Sequence, residues 1–92
     1  MTRVQLTFGA RALVGANDGL DAGACAARYA ELVCEALCRE WPDAEIDVAW
    51  SDDRAATRVA VHAAGSLERA RGIERAALDL AWVVRQMGAW AA

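Results

Sequence analysis

Residues 3–8 read RVQLTF, with Val4, Leu6 and Phe8 on one side of a two-residue alternation and Gln5 and Thr7 on the other. That is the pattern of a half-buried strand. Gly9 ends it or forms a bulge, and residues 10–17 read as irregular or extended chain, followed by a turn at GANDG (15–19). A helix is expected from about Asp21 to Trp41. Asp18 or Asp21 caps it, and Pro42 stops it because the residue before proline is pushed out of the helical region. Its polar arc is narrow and holds Arg28, Glu31, Glu35 and Arg39. Ala26, Ala30, Val33, Leu37 and Trp41 form the arc that should lie on a sheet. A second apolar strip, with Cys25, Tyr29, Leu32 and Ala36, must meet the other helix or another chain.

Alternation returns at AEIDVAW (44–50) and TRVAVHA (57–63), joined by SDDRAA. Ile46, Val48, Trp50, Val59 and Val61 are expected inward, and Glu45, Asp47, Arg58 and His62 outward. The two strands are expected to pair as a β-hairpin with a longer connection. In that register Glu45 faces His62, and Asp47 lies diagonal to His62 and Arg58. Ser66 then caps a last helix, whose apolar stripe runs Ala70, Ile73, Ala77, Leu80, Ala81 and Val84 to about Ala89. Trp82 falls on its polar side with Arg75, Asp79 and Gln86.

The order β-α-β-β-α predicts one α+β domain over residues 1–92. It is expected to be a two-layer α/β sandwich, with a three-stranded mixed sheet and two helices packed on one face. Strand orders 1-2-3, 1-3-2 and 2-1-3 all satisfy the pattern.

Composition narrows the chemistry. Of 92 residues, 57% are hydrophobic, but about a quarter are alanine, so the core is thin and must interleave tightly. A chain of this length buries only about 60–65% of its unfolded surface, which makes a partner worth seeking. All ten basic residues are arginine, as coding from a GC-rich genome would give, and the absence of lysine removes Schiff-base and P-loop chemistry. The formal charge of −3 is interspersed and shows no basic stripe for nucleic acid. The outward strand positions carry no aromatic for stacking RNA bases. No apolar run is long enough to span a membrane, and three cysteines without framework spacing fit a reducing cytoplasm.

No catalytic constellation, metal set or cofactor motif emerges. Cys34 and Cys38 share a helix face, but a zinc site wants four ligands and only one histidine exists. Cysteine at such positions usually fills a core as a small hydrophobe. The glycines 9, 15 and 19 lack the spacing of a phosphate loop. The Ser51, Asp52, Asp53 loop falls far short of a cation site. Glu45, Asp47, Arg58 and His62 read as a polar cluster on an open sheet face.

What remains is the closing segment LDLAWVVRQMGAWAA (78–92). Trp82, Met87 and Trp90, rimmed by Arg75, Asp79, Arg85 and Gln86, suit a protein interface, with Tyr29 and Leu32 as a secondary surface. The expected function is therefore a non-catalytic protein-binding module, alone or as a homodimer. Small motif-free proteins of this kind are common among accessory and mobile-element genes, where many are regulators or inhibitors docking on a larger complex such as a CRISPR effector. Two alternatives stay open. One is a small-ligand or thiol-dependent enzyme or redox sensor using Cys34 and Cys38. The other is weak nucleic-acid binding through Arg54, Arg58 and either Arg69 or Arg71.

Overall fold

A computed structural model describes residues 2–15, 19–54, 56–63 and 65–91. Strand β1 (Arg3–Gly9) leads directly into a short helix, α1 (Ala10–Val14). The long helix α2 (Ala22–Glu40) precedes strands β2 (Glu45–Ser51) and β3 (Arg58–His62). Helix α3 (Leu67–Met87) follows, and a single 3-10 turn, Ala89–Ala91, closes the described chain. The architecture is a small α+β fold with a three-stranded mixed sheet and two main helices.

Both long helices begin where the sequence puts a capping side chain. The Asp21 carboxylate accepts from the Ala24 N–H at 3.1 Å, and the Ser66 hydroxyl accepts from the Arg69 N–H at 3.3 Å. Asp18, the other candidate cap, and the centre of the GANDG turn lie outside the described residues. Helix α2 stops at Trp41, before Pro42. Helix α3 ends at Gly88, which adopts the left-handed conformation (φ 73°, ψ 3°) favoured after a helix terminus.

The strand order is β2-β1-β3, with β1 parallel to β2 and antiparallel to β3. The expected β2–β3 hairpin is therefore wrong, because β1 lies between its two strands. Two facts favour the insertion. The inward side chains of β1, Val4 and Leu6, are fully buried and Phe8 nearly so, as only a central strand allows. The link through residues 52–57 need only step across one strand. That is a distance of about 10 Å, well within the reach of six residues. The link is also tied down on the way, since Arg11 N–H donates to the Asp53 carbonyl at 3.2 Å.

Helix α2 packs along β2 and α3 along β3. One face of β1 is thereby buried, while Arg3 and Thr7 on the other stay exposed. The core joins Val4, Leu6 and Phe8 to Ala26, Val33 and Leu37 of α2 and to Ile73, Ala77, Ala81 and Val84 of α3. The second apolar strip of α2 meets α3: Tyr29 is buried, and its hydroxyl donates to the Ala81 carbonyl at 2.8 Å.

Residues 10–14 are helical rather than irregular or extended. Five residues hold barely more than one turn, too few to show a helical period. Ala10 and Leu13 are nonetheless buried by them. Trp50, expected inward, is partly exposed near the end of β2, with its ring edge 3.9 Å from where a Cβ on Gly23 would lie.

Candidate functional site

The most exposed apolar ground lies on α3. Trp82 is 58% exposed, Val83 52% and Met87 73%, and Leu78, one turn before Trp82, is partly exposed. The core stripe of this helix points the other way; Leu78 and Trp82 lie on its outer face, and Val83 and Met87 on the flank between that face and the sheet. The Arg85 guanidinium stands 5.9 Å from the centroid of the Trp82 ring, in cation–π range. Its terminal nitrogen also donates to the Ala12 carbonyl at 3.1 Å, so the cation is held between α1 and the indole. Beside Leu78 runs a shallow cleft of about 500 Å³ lined by Arg71, Glu74, Arg75 and Asp79. Arg75, Asp79 and Gln86 are all exposed on this side of the helix.

Trp90 does not belong to that surface. It is only 9% exposed, its indole N–H donates to the Arg85 carbonyl at 3.0 Å, and its ring meets Tyr29 edge-on with centroids 6.1 Å apart. Gly88 breaks the helix two residues earlier, so the α3 phase no longer governs Trp90, and the chain turns it inward. Tyr29 is likewise no surface residue. It packs edge-on against Phe8 at 4.9 Å and is covered by Trp90. Leu32 is half-buried against the core. The secondary surface expected at Tyr29 and Leu32 is therefore consumed within the fold.

The open sheet face holds the polar cluster in a different arrangement from the expected one. Arg3, on the central strand, takes the acidic partners. Its guanidinium donates twice to Asp47 Oδ2, at 2.9 and 3.3 Å, and lies 4.0 Å from Glu45. Glu45 and His62 flank Arg3 from opposite strands and are not neighbours. Arg58 sits across from Thr7, on the His62 side. The cluster is thus split into an acidic edge on β2 and a basic edge on β3. Arg3 was the missed member, although its place at the start of RVQLTF puts it on the same face as Gln5 and Thr7.

Cys34 is half-buried, Cys38 exposed and Cys25 buried, all as free thiols. Desolvation pushes the Cys34 thiol above its ordinary range, reinforced by the Cys38 sulfur and by the charges of Glu35 and Asp47. That environment favours the protonated thiol over the nucleophilic thiolate. Among the described residues no three His, Cys, Asp or Glu side chains converge on a point that could hold a metal. No described helix is long and apolar enough to cross a membrane.

Comparison of the chain with protein-family models, curated proteins and solved structures finds no match.

Proposed function

We propose that the chain is a non-catalytic protein-binding module whose docking surface is the outer face of α3, centred on Trp82. The observation that carries this reading is the indole itself. A tryptophan left 58% exposed, beside Leu78 and under a positioned guanidinium, is the kind of side chain that anchors an interface. Burying it stabilises a complex by its apolar area, and Arg85 is already ordered against it, so little side-chain freedom is lost on binding.

Charge suggests the complement. Arg71 and Arg75 are exposed on this face and make no ion pair among the described residues. Glu74 and Asp79 line the same cleft, so the fitting partner surface is an apolar recess for Trp82 with charges of both signs on its rim. A small regulator or inhibitor that docks by one helix face on a larger protein complex has this form. The thiol alternative is less well supported, because Cys34 is held as a neutral thiol. The arginines named for nucleic acid are dispersed over the β2–β3 loop, β3 and α3.

The test is capture from native lysate with three baits: the native chain, Trp82→Asp and the double variant Cys34→Ser/Cys38→Ser. Each bait is first checked by circular dichroism for native helix content. The docking reading expects one protein set retained by the native and cysteine baits and lost with Trp82→Asp. Identical capture by all three would refute it.

A further inference from the structure

The two edges of the sheet carry opposite charge, and so do the halves of the molecule behind them. Residues 21–53, which include α2 and β2, hold nine carboxylates and two arginines, a net of −7. Residues 54–92, with β3 and α3, hold six arginines and three carboxylates, a net of +3. On the open sheet face, β2 presents Glu45 and Asp47, and β3 presents Arg58 and His62.

The backbone of both edges is unpaired outward among the described residues. Glu45 N–H donates to the Thr2 carbonyl at 2.9 Å, so the ladder to β1 uses Glu45 and its alternates, and the peptide groups of Ile46 and Val48 point away from the sheet. The same alternation on the other side of β1 turns Val59 and Val61 of β3 outward. Such edges invite another strand.

The helices overhang these edges with unlike side chains. Gly23 of α2 sits beside Trp50 of β2, and Ala27 follows one turn later on the same helix face, so this part of the flank above β2 is built of small residues. Ala81 of α3 faces α2, which puts Val83 and Met87 on the opposite flank, beyond β3, and both are exposed. One edge is acidic with small side chains above it; the other is basic with exposed Val83 and Met87 above it.

We propose that the occupant of each edge is a second copy of this chain, the β3 edge of one copy adding antiparallel to the β2 edge of the next. In the register that places His62 opposite Glu45 of the next copy, Val61 pairs with Ile46 and Val59 with Val48. Arg58 then lies diagonal to Asp47. Met87 and Val83 come down beside Gly23, Ala27 and the partly exposed Trp50. The contact joins two different patches, so it repeats from copy to copy until the rotation closes a ring. It is separate from the Trp82 face.

The experiment is light scattering over a concentration series, with hydrogen exchange of the amides. Mass is expected to rise above the 9.8 kDa monomer at low salt and to return to it in about 1 M salt, where the edge charges are screened. The amides of Ile46, Val48, Val59 and Val61 should gain protection with concentration, at least about tenfold in rate. A charge swap then assigns the contact. Arg58→Asp/His62→Asp alone and Glu45→Arg alone should each be monomeric, and their mixture should associate. Trp82→Asp should self-associate like the native chain even if it loses its captured partner. A monomer at every concentration overturns the proposal. So does association that survives both edge variants, or amide protection confined to α3.

Discussion

The indole N–H of Trp90 donates to the backbone carbonyl of Arg85 at 3.0 Å, while the guanidinium of that same arginine stands over the ring of Trp82. One residue thus separates two tryptophans with opposite roles. Trp90 seals the interior, and Trp82 stays on the outside.

The first prediction follows from this contrast. Trp90→Ala removes the ring that covers Tyr29 and should cost about 3–5 kcal/mol of folding stability, as for other buried tryptophans. Trp82→Ala loses an exposed ring and one surface cation–π contact, and should cost no more than about 1 kcal/mol. Urea unfolding of the two variants, read by circular dichroism, compares them directly. Equal destabilisation would mean that the two side chains do not divide as described.

Trp90 also shows where legibility in the sequence ended. Alternation marked all three strands, Asp21 and Pro42 marked the two ends of α2, and Ser66 marked the start of α3, because caps and periods are local. Trp82 could be placed on the outer side of α3 because the helix is regular through it. Trp90 could not, since projecting the same period past Gly88 ignores the left-handed turn that resets the phase. Strand order is not local at all. Glu45 and Asp47 find a cation in Arg3 as readily as in Arg58 and His62, so charge pairing in the sequence admits both the hairpin and the inserted strand. The deeper burial of Val4 and Leu6 separates them, and only the packed structure shows it.

Gly88 is the second prediction. A Cβ there would meet nothing within 4 Å, so the obstacle to substitution is backbone conformation alone. Gly88→Ala should cost about 1 kcal/mol through the left-handed geometry. The intrinsic fluorescence of Trp90 should shift toward that of a solvated indole if the turn reopens. A Gly88→Ala protein as stable as the native one would show that the cap does not hold this turn.

Arg3 binds the acidic edge of the sheet to its centre. Its pair with Asp47 is about half exposed on both sides, so Arg3→Ala should cost less than about 1 kcal/mol. Arg3→Glu should cost more, because it sets a third carboxylate beside Glu45 and Asp47. That excess is electrostatic and should shrink at high salt, as should the smaller Arg3→Ala deficit, which is the loss of an exposed ion pair. Urea midpoints at low salt and in about 1 M salt measure both deficits. A salt-independent Arg3→Glu deficit would mean that the charge placement on β1 and β2 is not what matters.

Tyr29 gives a pH dependence with a definite sign. Burial raises its hydroxyl above the ordinary value of 10.0, and the nearby Arg85 charge opposes this only in part. The folded protein therefore holds the phenol proton more tightly than the unfolded chain does. Its contribution to stability is complete below pH 10 and is lost as pH climbs from there through the raised folded value. Deprotonation also removes the hydroxyl donor from the Ala81 carbonyl and leaves a phenolate enclosed by Phe8 and Trp90. Cys34 is raised as well and adds a loss of the same sign from its ordinary value of 9.0 upward. Tyr29→Phe should cost about 0.5–1.5 kcal/mol at neutral pH, the net worth of one hydrogen bond, since the ring packing is kept. In exchange, the alkaline fall in stability should be shallower than in the native chain. The comparison needs urea unfolding of both proteins at steps from pH 7 to about pH 11, in a Cys34→Ser background that removes the thiol. Parallel curves across that range would show that Tyr29 keeps its proton equally in the folded and unfolded chains, and so is not desolvated where α2 meets α3.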